Sequence, residues 1–389
     1  MGGAVFDGVS RELSGPTEIL VRGGLIVEMG PSVDRPKGTE VIDLSERTVS
    51  PGFIDTHVHL TMDAANLARQ YLDYGFTTVR DLGSMDPGFP TVDLREAIAA
   101  GLVDGPRLLV AGHVISSTAG HGDLSGFFPS RWDLPVSSVA DGVSEIRRMV
   151  RREHAHGTNW IKTANAGGYF SAGDDPARVT WFDEEMEALC ATAGQVGLPV
   201  AVHTGAAEAC KQAVRCGARS LEHAYLIDEE GLEATTRAGA YIVPTMQMTQ
   251  EDLDQLHAGT LPDQAVWKFR RDHQRILESQ RLIAASDVKI AYGTDCGMFP
   301  FRRGILEFQA MVAAGLSPVR ALRAATSTAA EMLGLDGVGV LRPGACADIV
   351  AMPGNPLEDI AATARVDFVM HSGAVHRRPD DGGNPGGPG

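Results

Sequence analysis

Four histidines, a lysine and an aspartate recur at comparable places along this 389-residue chain. His57 and His59 stand two apart in FIDTHVHL. Lys162 lies in NWIKTANAGG, His203 in PVAVHTG, His223 in SLEHA and Asp295 in IAYGTD. In a strand, residues two apart share a face, so His57 and His59 direct both imidazoles into one space. Imidazole and carboxylate without thiolate suit zinc or a similar borderline divalent metal. H-x-H alone is a weak motif, and a lone histidine at a strand end is more often a hydrogen-bonded structural group. The weight comes from the whole set, each member falling at the same end of its strand. Lys162 needs a separate argument. An ammonium only donates hydrogen bonds and cannot ligate a metal, and its burial is costly unless the charge is paired or removed. Carboxylation by carbon dioxide would turn the amine into an anion with two donor oxygens. Two dications would then face three negative charges, from Asp295, the carbamate and a bridging hydroxide, leaving a site near +1. Each carbamate oxygen would take one metal at the roughly 3.5–4 Å spacing of two-metal sites. Taken by itself, Lys162 also reads as a salt-bridged or phosphate-binding lysine.

The elements that must position these groups are short apolar strands alternating with helical stretches, the pattern of βα units around a parallel sheet. Strands are expected at 53–60, 77–83, 107–115, 160–165, 199–205, 220–224, 241–245 and 290–295. Helices are expected at Ala64–Tyr74, Glu145–His154, Glu184–Gln195, Asp263–Ala285, Gly304–Ala313 and Pro318–Leu333. Val266, Phe269, Ile276, Leu277 and Ile283 make one apolar face on the fourth of these. Such units over about 280 residues fit a TIM-type barrel, which puts catalytic groups at the C-terminal strand ends. At the N-terminus, β-rich runs flank Gly23-Gly24, a hairpin signal. Further short strands are expected at 41–44, 48–55, 339–352 and 368–376. The two ends therefore build one small β module. The expected domains are residues 1–50 with 337–378 for that module, 51–336 for the barrel, and a disordered glycine- and proline-rich tail at 379–389.

The net charge of −16 argues against nucleic acid or an anionic membrane as partner, because both repel an acidic surface. The five cysteines are odd in number and contain no C-x-x-C, which disfavours a disulfide framework or a thiolate zinc site. No secretory leader and no apolar run of about 18 residues is visible, so a cytoplasmic location is expected. A small-molecule substrate is the expected partner, and homo-oligomerisation stays open.

PGFIDTHVHL, the strand lysine followed by Gly167-Gly168, VHTG, LEHAYLID, YGTD and the late GVLRPGACADIV together resemble the amidohydrolase superfamily. The match spans roughly residues 17–376 in order and placement. It is most similar to the imidazolonepropionase-like branch that includes bacterial prolidases and Xaa-Arg dipeptidases. The resemblance implies an α/β fold: a distorted (β/α)8 barrel with a β-sandwich from both chain ends. It implies two divalent metals bridged by carboxylated Lys162. His57, His59 and Asp295 would hold the first metal, and His203 and His223 the second. Zinc is expected, with manganese, iron or cobalt also suited to such donors. A related mononuclear deaminase branch lacks the lysine and carries a glutamate three residues after the strand-five histidine. Here that position is Ala206, with Glu208 displaced by two.

Hydrolysis of an amide, in a dipeptide or an N-acyl amino acid, is the expected activity. A bridging hydroxide attacks the carbonyl and Asp295 carries the proton to the leaving amine. His121, in STAGHGD, and Tyr225, after His223, are candidates to polarise the carbonyl or bind substrate. Ala119 stands where the family loop has glycine, which puts that loop's shape in question. His113 reads as a barrel histidine, Cys296 as a small buried residue, and Arg302 and Arg303 as surface groups or carboxylate binders. Residues 116–140 and 246–262 are long enough for lids. Lactone or carbamate hydrolysis, or a dehydrating cyclisation, would use the same metal site. A non-catalytic scaffold is the reading from another class, and the complete donor set weighs against it.

Overall fold

The computed structural model describes residues 2–61, 63–84, 88–124, 138–297 and 304–379. Along the chain the strands are β1 (Ala4–Val5), β2 (Glu18–Arg22), β3 (Leu25–Gly30), β4 (Arg47–Pro51), β5 (Phe53–Val58), β6 (Phe76–Asp81), β7 (Arg107–Val110), β8 (Val114–Ser116), β9 (Ser138–Val139), β10 (Ile161–Ala164), β11 (Val200–Ala206), β12 (Ser220–Leu226), β13 (Tyr241–Val243), β14 (Lys289–Ile290), β15 (Ile349–Pro353), β16 (Phe368–His371) and β17 (Ala374–Arg377). The order β1-β4-β15-β16-β17 makes one sheet from both chain ends, and β2-β3 forms the expected hairpin over it. Gly23 (φ 59°) and Gly24 (φ 79°) take the positive φ values that such a two-residue turn demands. VIDL forms no strand.

The barrel wall consists of the sheets β14-β13-β12-β11-β10-β8-β9 and β5-β6-β7, with parallel pairing throughout. It closes through single bonds rather than a full ladder: Thr56 N to Tyr292 O (2.9 Å), Asp295 N to His57 O (2.7 Å) and His59 N to Cys296 O (2.7 Å). This gives an α/β barrel of TIM type with a β-sandwich module at its side.

Several elements differ from the sequence reading, each for a tertiary reason. The third strand divides into β7 and β8 at Gly112 (φ 72°), so its halves pair with different neighbours. The eighth strand shrinks to Lys289–Ile290, and Asp295 lies in coil beyond it. The helix expected at Pro318–Leu333 divides into Pro318–Ala324 and Ser327–Leu333. The carbonyls of Ala324 and Ala325 at the break receive Tyr292 N (2.9 Å) and Ile54 N (2.8 Å) from the barrel strands. The segment beginning at 246, long enough for a lid, is the helix Met246–Ala258. Asp263–Ala285 is one helix, as expected, with Phe269, Ile276 and Ile283 buried. It also buries Lys268 and Asp272, which the apolar period did not predict. No disulfide joins the five cysteines. Among the described residues, no helix is long and apolar enough to cross a membrane. Residues 125–137, Arg302, Arg303 and the tail from 380 lie outside the described residues.

Candidate metal centre

One cavity collects the sequence-selected groups. His57, His59, Lys162, His203, His223, Asp295, His121 and Tyr225 all line it. His57 and Lys162 project from β5 and β10, while His203 and His223 come from β11 and β12. Register places Lys162 beside Ala201 and Val114 on the neighbouring strands. His57, His59 and Asp295 offer three donor atoms all within 4.8 Å of one another. The ring centroids of His203 and His223 are 4.7 Å apart, and His57 and His223 are 4.8 Å apart.

Hydrogen bonds decide which nitrogen each imidazole turns to the cavity. His57 Nδ1 donates to Glu222 Oε2 (2.8 Å) and His59 Nδ1 donates to Gly83 O (2.7 Å). His223 Nδ1 meets Thr245 Oγ1 at 2.7 Å. Carbonyl and carboxylate oxygens only accept, so His57 and His59 keep Nε2 as a lone-pair donor. His203 is held the other way round, its Nε2 donating to Gly167 O (3.2 Å). Glu222 is fixed in turn by Arg80 Nη2 (3.0 Å) and Ser220 Oγ (2.5 Å), and Arg80 stacks over Trp160 at 4.3 Å. Asp55 accepts from His57 N (3.1 Å) and Thr294 Oγ1 (2.6 Å), bracing the two strand ends that carry His57 and Asp295. Glu222, Arg80 and Asp55 were not selected from the sequence. The one available signal was position: Glu222 adjoins His223, and Asp55 precedes the H-x-H pair by two residues.

The donor set fits a cation. His57 Nε2 and Asp295 Oδ1 are buried, lack hydrogen-bond partners and stand 3.4 Å apart. His59 Nε2 is 3.2 Å from the same oxygen. Burial holds His57 well below its ordinary pKa, with the Lys162 charge adding to the effect, so its ring is neutral and brings no proton to that gap. Burial raises the Asp295 carboxyl, but the His57 and His59 imidazoles beside it outweigh that and hold the group below the usual carboxylate range. Two lone-pair groups left facing each other without a proton are what a divalent ion satisfies. Burial also pulls the Lys162 ammonium down to about 8, against the raising influence of Glu222 and Asp295.

Backbone strain concentrates here. His223 (φ 67°), Ala224 (φ 52°), Thr245 (φ 45°) and Asp295 (φ 58°) take left-handed conformations that cost non-glycine residues energy. Ala119 (φ 58°) does so as well, so the loop keeps the backbone that glycine favours despite its alanine. That loop stacks His121 on His203 at 4.1 Å, and its Nδ1 is 3.0 Å from Ser171 Oγ. The glycine pair after Lys162 serves close approach: a Cβ on Gly168 would lie 2.1 Å from the His121 ring. Tyr225 stacks on His223 at 4.7 Å. His113 is not in this cavity. It is buried against Phe89 (4.7 Å) with Glu153 Oε1 3.4 Å away. Cys296 is buried beside the strand end, as a small packed residue.

A parallel barrel with histidine and carboxylate donors at one strand end defines a metal-dependent hydrolase of the TIM-barrel type. The amidohydrolase family model matches residues 48–375, and the chain belongs to the amidohydrolase family. Ochratoxinase from Aspergillus niger is 28% identical over 395 residues, covering 91% of this chain and 80% of its own. A Xaa-Pro dipeptidase with methionine bound in its active site superposes with a TM-score of 0.90 at 30% identity, over 97% of this chain and 98% of that one. A prolidase complexed with N-methylphosphonate-L-proline gives a TM-score of 0.84 at 31% identity, over the same shares. The chain is a metal-dependent amidohydrolase acting on C–N bonds.

Proposed function

We propose that this protein hydrolyses the amide of a dipeptide or an N-acyl amino acid, with two divalent cations held across its cavity. His57, His59 and Asp295 would hold one, His203 and His223 the other, and carboxylated Lys162 would bridge them. Zinc is the first candidate, and manganese, iron and cobalt suit the same donors. Bound there, the cations supply an activated water and a Lewis acid for the carbonyl. The chain's own groups do the rest. Asp295 accepts the water proton and delivers it to the departing amine nitrogen, so that the C–N bond breaks to give a neutral amine. Tyr225 and His121, both at the cavity wall, orient the carbonyl. Glu222 holds the His57 tautomer, and Thr245 holds His223.

The observation that carries the reading is the facing pair of orphaned atoms, His57 Nε2 and Asp295 Oδ1, in the cavity that also receives Lys162. The dipeptidase and prolidase likenesses support the substrate class. The test is a hydrolysis screen. Metal-loaded protein prepared with bicarbonate meets dipeptides and N-acyl amino acids, with products read by mass. Gain of water by a subset is expected. No cleavage by protein shown to hold metal would transfer the reading to lactones, carbamates or a dehydrating cyclisation.

A further inference from the structure

The loop after β10 lines the cavity with two rings, Tyr169 and Phe170, and the helix Asp263–Ala285 holds that loop residue by residue. Lys268, on that helix, donates to Gly168 O (2.7 Å), Ser171 O (2.6 Å) and Asp174 Oδ1 (2.9 Å). An ammonium has three protons, and here each has an acceptor. Asp174 closes the loop on itself: its Oδ2 accepts from Gly168 N (3.1 Å) and its Oδ1 from Ser171 Oγ (2.5 Å). Gln264, four residues before Lys268, donates to Phe170 O (3.2 Å). Asp272, four residues after it, accepts from the Tyr169 hydroxyl (3.3 Å). That spacing puts the three helix residues on one face. Lys268 is fully buried, and the Asp174 side chain is 3% exposed. Burying an ion pair adds little stability over apolar packing, so its clearer product is a fixed loop.

The fixed rings stand next to the candidate metal centre. Tyr169 meets Tyr225 edge-on at 5.1 Å, and Tyr225 stacks on His223 at 4.7 Å. Phe269 backs Tyr169 at 5.7 Å. The Tyr169 hydroxyl is taken by Asp272, which does not line the cavity, so the side chain's contribution to the wall is its ring. Met248 and Leu124 line the same cavity. Among the described residues, the lysine and carboxylate side chains lining it are Lys162 and Asp295, both committed to the metal centre. We propose that Tyr169 and Phe170 form the pocket for a substrate side chain beside the scissile amide, that this pocket selects a large apolar side chain, and that Lys268 is the positioning residue that holds it. This rests on the amidase reading above and narrows it to amides with an aromatic or long aliphatic group on one flank. Such a group gains by leaving water for the rings. A charged side chain would lose its water there and meet no opposite charge. The fastening matters because loops place side chains less precisely than strands or helices do.

The experiment measures kcat/KM for Xaa-Ala and Ala-Xaa dipeptides and for N-acetyl-Xaa, with Xaa as phenylalanine, methionine, alanine, lysine or glutamate. In at least one series phenylalanine and methionine should exceed alanine by about tenfold or more, the scale of burying such a side chain. Lysine and glutamate should fall below alanine. Phe170→Ala should bring the phenylalanine-to-alanine ratio towards one. Lys268→Met should do the same, although Lys268 does not line the cavity. A ratio taken on one preparation does not depend on how much of it is folded, so a merely structural defect lowers both rates and leaves the ratio alone. If Lys268→Met folds poorly, Gln264→Ala, which frees only the Phe170 carbonyl, carries the positioning test. Calorimetric binding of free phenylalanine, alanine and glutamate repeats the comparison without turnover. Equal rates across every series, or a preference for lysine or glutamate, overturn the pocket. A preference that survives both Phe170→Ala and Tyr169→Ala overturns its assignment to these rings. One that survives Lys268→Met and Gln264→Ala overturns the positioning role. Apolar selectivity in binding, with no amide hydrolysed, overturns the amidase reading and leaves the pocket standing.

Discussion

A lysine that ligates must first lose its proton and gain an acid, and the setting of Lys162 favours both. Its amine is buried on β10 and faces the cavity, where its pKa sits near 8. Roughly a tenth of such amines are neutral at pH 7, and the neutral amine is the form that adds carbon dioxide. The argument for bridging stands on the donors rather than on that titration: four imidazoles and one carboxylate leave two dications short of negative charge. Lys162→Ala should therefore bind less than half the metal of wild type after dialysis, as counted by elemental analysis. A short carboxylate such as acetate or propionate should restore part of it. Full metal occupancy in that variant would remove Lys162 from the ligand set. The four histidines and Asp295 were legible from the sequence because alternation in a strand and recurrence at strand ends are local properties. Glu222 and Arg80 were not. Each matters through the other, more than a hundred residues away along the chain. No periodicity reports that.

The helix Met246–Ala258 illustrates how an element can be capped from outside so that its own cap is free for other work. Thr245 occupies the N-cap position, yet its hydroxyl makes no bond to the helix and meets His223 Nδ1 at 2.7 Å instead. Glu307, from the helix Glu307–Ala313, supplies the missing acceptors: Oε1 to Met246 N (2.9 Å) and Oε2 to Gln247 N (2.6 Å). Burial raises the Glu307 pKa to about 8, while the two amides lower it and the helix N-terminus favours the charged form. The division of labour predicts a double dissociation. Thr245→Val should weaken metal binding by about 10–100-fold, as loss of a second-layer partner does, with little change in melting temperature. Glu307→Ala should cost about 1–2 kcal/mol of stability, as loss of a cap does, readable by denaturant unfolding. Equal loss of stability in both variants would refute the division. The sequence does not reveal the shape of this segment, because the helix start carries no local signal. Its cap is sixty residues away, and its first turn is MQMT rather than an acidic run. The helix Asp263–Ala285 was legible through its apolar face. Its buried Lys268, which pins the loop after β10 through Gly168 O (2.7 Å) and Ser171 O (2.6 Å), was not.

At the scale of the whole molecule the question is what fastens the β module to the barrel, since the module is assembled from both chain ends. Asp348, buried just before β15, is one fastening. Arg107 Nη1 on barrel strand β7 donates to its Oδ2 at 2.8 Å. Its Oδ1 meets His371 Nδ1 (3.0 Å) and Ser372 N (2.7 Å) in the module. Its backbone carbonyl receives Gly52 N (2.9 Å), where β4 passes into β5. Burial alone would raise this carboxyl; the His371 hydrogen bond and the Arg107 charge outweigh it and bring the pKa to about 2. The sign follows from linkage. A carboxyl depressed on folding from 3.8 to about 2 contributes stability that is fully present above the unfolded value. That contribution is lost as the pH falls from about 5 through 2, and its size is about 2 kcal/mol. Asp348→Asn keeps the shape and removes the titration. The stability difference between wild type and variant, from denaturant midpoints, should be constant from pH 8 down to about 5. It should then shrink by about 1 kcal/mol at pH 3 and close further below that. A difference that stays flat across that range would mean the carboxylate's charge is not what joins the two parts. A difference that closes as expected, with metal binding by the variant unaffected at neutral pH, would place the junction's electrostatics apart from the cavity's. Acid would then loosen the module from the barrel through Asp348 while the donors at the strand ends respond to pH on their own terms.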